Sequence, residues 1–197
     1  MAAIQPSYYS SKCACSTVDD GGSEVNFVSM YKNGHRGAAL VLMAPLTVVF
    51  GVLGLGMSMV AVAVCRLPDI DHDYEWLAHR GPTHTIWFAI GIAALVVAGG
   101  YAWLSVLPVD LPALLLALLL GATVFLGLLS HLFADGLTAG RGTHAIRPFR
   151  PLSSHPFRLG LVRADSELAN RLLLVGGMLF QGLAFAVSVS GVTGVVV

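Results

Sequence analysis

Three stretches of the chain, residues 86–107, 111–130 and 172–197, contain no Asp, Glu, Lys, Arg or His. Taken as 85–107, 111–132 and 172–197, each reaches the ~20 apolar residues that a helix needs to cross a hydrocarbon core about 30 Å thick. Composition agrees: 56% of the 197 residues are hydrophobic and 11% are charged, against ~45–50% apolar for soluble domains. So few charges would hardly cover a soluble surface, whereas a bilayer asks for no polar covering. The fold class is therefore all-α, a multi-pass helical membrane protein with about three full spans.

Residues 1–33 are polar and rich in Ser, Gly and Tyr. No basic start precedes a short apolar run, so they read as a disordered tail rather than a targeting signal. Residues 34–197 form the membrane-embedded domain. Cys13 and Cys15 fall in the tail and Cys65 in an apolar run; three cysteines make no closed disulfide set. Residues 37–65 as one helix would reach roughly 43 Å, which overshoots the core. Pro45 breaks the pattern, and Gly51, Gly54 and Gly56 favour a turn. An N-terminal helical hairpin, about 36–49 and 53–65, is the expectation. It would return His35 to the face that carries residues 67–85.

Of eleven Lys and Arg, eight fall in two segments: Arg66 and Arg80, then Arg141, Arg147, Arg150, Arg158, Arg163 and Arg171. The link between the first two apolar runs offers only Asp110. Basic loops stay in the cytoplasm, so both segments are expected to face inward. Most of these arginines need no role beyond setting topology. Nucleic acid is not an expected partner, because net charge is zero and no aromatic platform interleaves the basic loop.

Six of the seven histidines lie in or beside those two segments, and the seventh, His35, opens the expected hairpin. "SHLFAD" places His131 and Asp135 four apart, on one helical face about 5–6 Å from each other. Alone, that pair reads first as an interfacial His and a solvated Asp. "PDIDH" offers Asp69, Asp71 and His72 from a turn that Pro68 enforces. In isolation it is a polar turn with local hydrogen bonds. "HRGPTH" puts His79 in a loop and His84 in the first turn of the next helix, with Gly81-Pro82 as its start. Together the segments hold more carboxylates and imidazoles than one structural site uses, and these donors suit Zn²⁺, Mn²⁺ or Fe. Unpaired carboxylates at a membrane face would cost several kcal/mol unless a cation offsets them. More than four candidates suits a centre of two or three ions with bridging carboxylates.

"LPDIDH", "HRGPTHT", "SHLFADGLT-G", "RPF" and "FRLGL" stand in one order across about residues 34–171. In this they resemble the YdjM-like family of membrane-bound, predicted metal-dependent hydrolases. The resemblance implies metal ligands at His35, Asp69, Asp71, His72, His79, His84, His131 and Asp135. Arg80, Thr83 and, after FRL, Glu167 complete the motif as catalytic candidates beside Asp69 and Asp71. Thr85 stands where the family often has Ser. A fainter likeness is to the ligand order of zinc-dependent phospholipase C, with His35, Asp71, His84, His131 and Asp135 as counterparts. No HxxxE follows here, so two ions, zinc first, are expected rather than three.

The resemblance implies hydrolysis by metal-activated water, since a bound metal lowers the pKa of water toward ~7. Asp69 or Asp71 could take the proton, and Arg80 could clamp a phosphate oxygen. Arg147, Arg150 and Arg158 read as contacts to anionic lipid headgroups. A small-molecule or lipid phosphoester at the cytoplasmic face of the cell membrane fits such a basic site, with membrane lipids as partners. Two rivals stand beside it. A metal-ion transporter would need a polar path, which the uncharged runs do not supply. A non-catalytic, metal-stabilised scaffold would use the same ligands, because a ligand set does not reveal an open coordination position. Substrate and oligomeric state are not legible.

Overall fold

The computed structural model describes residues 28–72, 74, 76, 81–108, 112–138, 145–163 and 166–190. Five α-helices follow in order: α1 (Val28–Phe50), α2 (Val52–Val64), α3 (Ile86–Leu104), α4 (Ala113–Thr138) and α5 (Glu167–Val189). Two short 3-10 turns, Leu67–His72 and Pro82–His84, lie between α2 and α3. No strand occurs among the described residues; one isolated bridge joins Ile146 and Phe157.

The N-terminal hairpin forms with its turn where expected, and only the first arm begins earlier. α1 starts at Val28 and runs through Pro45 to Phe50. Pro45 removes one backbone donor without ending the helix, a loss that neighbouring helices make tolerable inside a membrane bundle. The reversal falls at Gly51, inside the expected gap between residues 49 and 53, and its φ of 58° is open to glycine at no steric cost. Gly54 then lets α2 close on the end of α1. A Cβ there would sit 2.6 Å from the Thr47 Cα. Antiparallel packing brings Thr47 Oγ1 to 3.2 Å from Ser58 Oγ. α2 was expected to be only a short hairpin arm. With the turn that continues it, it becomes Val52–Asp71, the fourth segment long and apolar enough to cross a membrane beside α3, α4 and α5.

Small residues set the remaining contacts, as they do where helices meet in lipid. α1 and α5 run parallel, Gly37 lying against the Leu173–Leu174 backbone and Gly177 against the Gly37 carbonyl. α4 is central. Its Gly127 faces the Ala61 carbonyl of α2, and its Gly121 faces the Ala93 carbonyl of α3. One buried polar knot ties α1, α2 and α5. Ser58 Oγ donates to the Gly54 carbonyl, so it accepts from Gln181 Nε2 at 2.6 Å and from Thr47. Gln181 also donates to the Leu40 carbonyl at 3.2 Å.

The connectivity puts five helix ends at one pole of the bundle: the starts of α1, α3 and α5 and the ends of α2 and α4. Residues 145–163 strap across that pole. Leu159 N donates to the Gly136 carbonyl and Leu161 N to that of Leu137, while Ile86 N donates to the Pro148 carbonyl. Trp87 and Trp103, both exposed, mark the two ends of α3. Their 16-residue separation corresponds to about 24 Å, a spacing suited to aromatic anchors at two interfaces.

Candidate metal centre

α4 supplies the base of the site. His131 and Asp135 share a helical face, with Nε2 and Oδ2 3.5 Å apart. α1 brings the His35 ring flat against that of His131, centroids 4.1 Å apart and planes 18° from parallel. His35 Nε2 is 3.7 Å from Asp135 Oδ1. Thr85 caps α3 by accepting from Phe88 N, which fixes the preceding 3-10 turn and aims His84 inward. The Leu67–His72 turn delivers Asp69 and Asp71 opposite, with its Pro68 fully buried.

The donors converge. His84 Nε2, His131 Nε2 and Asp135 Oδ2 make a triangle with edges of 3.2, 3.4 and 3.5 Å. An ion bound tetrahedrally through bonds of ~2.1 Å holds its donors about 3.4 Å apart, so the triangle has the size such an ion demands. Asp69 Oδ1 adds a fourth donor, 3.4 Å from His131 Nε2 and 3.9 Å from His84 Nε2. Among the described residues two groups of three have ligand atoms within 4.8 Å of one another inside each group: His84, His131 and Asp135, and His35, Asp69 and His131. His84 and His131 are fully buried, and Asp69 is the most open, its side chain 19% exposed.

Electrostatics favours a cation. Asp69, Asp71 and Asp135 bring three carboxylates into a space where Arg66 Nε stands 3.7 Å from Asp69. His35 Nδ1 and His131 Nδ1 are buried without a hydrogen-bond partner among the described residues. The fit of an ion rests not on these two nitrogens but on the triangle of His84 Nε2, His131 Nε2 and Asp135 Oδ2. The residues present therefore fit a divalent metal.

Not every expected residue joins the cluster in the same way. Asp71 Oδ2 lies 3.4 Å from His84 Nδ1, the ring nitrogen turned away from His131, and Thr83 Oγ1 lies 3.1 Å from the same atom. Neither belongs to a metal-capable group. Glu167, implied as a catalytic acid, opens α5, is more than half exposed and pairs with Arg171 one turn on. Its place at the solvent-facing start of a helix keeps it out of both groups. His79 and Arg80 lie outside the described residues, as do residues 1–27 with Cys13 and Cys15. The backbone of His72 belongs to the Leu67–His72 turn, and its side chain is not described. Sequence reading gave Arg66 no contact; the i, i+3 spacing of Arg66 and Asp69 was the available signal. It also missed a cavity of about 410 Å³ beside His35, walled by Ala134, Leu137, Leu173 and Arg163 among others. Its walls come from three segments distant in sequence, and no local pattern marks it.

Fold and site together define a helical membrane protein with a buried, metal-capable His/Asp cluster at one pole. The chain belongs to the YdjM inner membrane protein family, whose model matches residues 30–196. No curated protein and no solved structure matches it.

Proposed function

We propose that the protein is a metal-dependent hydrolase that cleaves a phosphoester at the cytoplasmic face of the inner membrane. The observation that carries the reading is the triangle of His84, His131 and Asp135 with Asp69 at its edge. Ligands from separate elements meet at ion-binding distance while one carboxylate stays open to solvent. A bound divalent cation, zinc first with Mn or Fe as substitutes, would polarise a phosphoryl oxygen and lower the pKa of water toward ~7.

The chain's own groups do the rest. His84, His131, Asp135, Asp69 and His35 hold the ion or ions. Asp71 and Thr83 fix the His84 ring through Nδ1, leaving Nε2 to the metal. Asp69, with Oδ1 toward the ion, takes a proton from the attacking water at its other carboxylate oxygen. Arg80, inside the HRGPTH motif, is assigned to the substrate phosphate, where a bidentate clamp offsets developing charge. The excess of arginine on the two segments at this pole supports its cytoplasmic orientation.

The test is hydrolysis of bis(p-nitrophenyl) phosphate by purified protein. Turnover should vanish with EDTA and return with Zn²⁺. Arg80→Ala should keep its metal and lose about 10²–10³-fold in rate, the usual loss when one charge-stabilising contact is removed. Metal-loaded protein with no phosphoesterase activity would contradict the hydrolase reading and leave a metal-stabilised scaffold.

A further inference from the structure

The strap 145–163 has two faces. Ile146 is fully buried and bridges Phe157, whose ring lies over Gly136. Pro148 is also buried, and its carbonyl accepts from Ile86 N at 2.8 Å. Between these anchors the chain points outward. Arg147, Phe149, Arg150, Leu152, Arg158 and Leu161 are all exposed, Leu152 by 78% and Leu161 by 72%. Ile146 and Pro148 inward with Arg147 and Phe149 outward is the alternation of an extended chain with one covered face. The outer face therefore mixes large apolar side chains with cations, and an exposed apolar patch of this kind marks an interaction surface.

Three observations bear on what covers it. The first is depth. The bond from Ile86 N to the Pro148 carbonyl fixes the strap at the first turn of α3, beside the exposed Trp87. Tyr74 and Trp76, exposed between the two 3-10 turns with ring centroids 5.8 Å apart, add aromatic rings to this pole. Tryptophan and tyrosine collect at headgroup level, so the strap borders lipid. The second is charge. Between Asp135 and Asp165 the chain has five arginines and no Asp, Glu or Lys, a single sign that calls for an anionic surface. The third is the mixture itself. A hydrophilic acidic partner would use the arginines and leave Leu152 and Leu161 in water. Neutral lipid would take the leucines and leave the arginines without counter-charge. An anionic leaflet meets both, with phosphates at the level of the guanidinium groups and acyl chains just beneath.

We propose that the strap is an interfacial element that binds anionic phospholipid, with Arg147, Arg150 and Arg158 on headgroup phosphates and Phe149, Leu152 and Leu161 at the acyl boundary. Long arginine stems suit this depth, since they cover apolar surface while the guanidinium stays among the phosphates. The strap's inner face is fastened to both ligand-bearing helices, through Ile86 on α3 and through Gly136 and Leu137 on α4. Lipid held on the outer face thus lies over the mouth of the metal centre. The inference requires neither a bound metal nor hydrolysis.

The experiment uses the full chain in phosphatidylcholine nanodiscs doped with phosphatidylglycerol that carries a diazirine on its acyl chain. Phosphatidylcholine with the same diazirine serves as the neutral counterpart. Cross-links to the peptide spanning residues 145–163 should favour phosphatidylglycerol about tenfold or more, as several basic residues at an anionic surface imply. Salt at about 1 M should remove most of that preference. Replacing Arg147, Arg150 and Arg158 together by Gln should bring the two lipids close to parity. Leu152→Gln with Leu161→Gln should instead lower cross-linking by both lipids alike. All five positions are exposed, so the thermal midpoint of each variant should match wild type. A second measurement keeps every arginine in place. A spin label at Leu152→Cys, with Cys13, Cys15 and Cys65 replaced, should be more accessible to oxygen than to an aqueous nickel complex in nanodiscs containing phosphatidylglycerol. Equal cross-linking by the two lipids in wild type, or a preference that survives the triple substitution, would overturn the proposal. So would a label at position 152 that the nickel complex reaches freely, which would leave the face to a soluble partner.

Discussion

The two ring nitrogens of His84 face different company. Nδ1 meets Asp71 and Thr83, while Nε2 meets His131, Asp135 and, farther off, Asp69. A carboxylate on the far nitrogen of a metal-binding imidazole orients the ring and raises its basicity, and its removal typically weakens metal binding about 10–100-fold. Asp71→Asn should therefore weaken metal affinity by that factor, whereas His84→Ala should abolish binding. Competition against a chelating dye measures both. Equal losses in the two variants would make Asp71 a ligand. The sequence places Asp69 and Asp71 two residues apart in one motif, and nothing local divides their roles. That division depends on the orientation of a ring from another turn. His131 and Asp135 were legible, because i, i+4 spacing on a helix sets their proximity before any tertiary contact forms. Glu167 stands outside both ligand groups, and its exposed i, i+4 pair with Arg171 is ordinary helix-start electrostatics that its position after FRL did not reveal.

At the scale of elements, His35 reaches the cluster because α1 is clamped between α2 and α5. Gly37, two residues on, has no room for a side chain, since a Cβ would meet the Leu174 amide nitrogen at 2.6 Å. Gly37→Ala should push α1 off α5, lower the thermal midpoint and weaken metal binding together. Gly56→Ala, where nothing lies within 4 Å, should leave both intact and gain up to about 1 kcal/mol of helix propensity. Thermal unfolding and dye competition on the two variants provide the check, and equal behaviour would refute the clamp. Gln181 makes a second case. Its two donated bonds bridge α5 to α1 and α2, and Gln181→Leu should cost about 0.6 kcal/mol per bond, the average for side-chain bonds between membrane helices. An unchanged midpoint would show that the knot contributes nothing. The hairpin itself was legible, since residues 37–65 as one helix overshoot a bilayer and Gly51, Gly54 and Gly56 offer a turn. Its corner was legible too: the expected arms leave residues 50–52 between them, and the chain turns at Gly51, whose positive φ only glycine adopts at no steric cost. The apolar run through residue 65 did not reveal that α2 continues through a 3-10 turn to Asp71.

For the whole molecule, the cluster, the strap 145–163 and the cavity share one pole, and the α3–α4 connection lies at the other. If the arginine-rich pole is cytoplasmic, a membrane-impermeant maleimide added to intact cells should label Val106→Cys and miss Leu152→Cys. Both positions are exposed, and the background should have Cys13, Cys15 and Cys65 replaced. The reverse pattern would invert the topology. Convergence of segments some hundred residues apart was legible only as an expectation, resting on the ordered motifs and the resemblance they carry. The central claim is that those segments meet at one ion-binding centre, and elemental analysis of purified protein tests it most directly. Wild type and His155→Ala, an exposed histidine away from the cluster, should carry the same content of divalent metal, at about one to two ions per chain. His131→Ala removes the donor common to both ligand groups and should carry almost none. Metal content in His131→Ala equal to that of wild type would contradict the account.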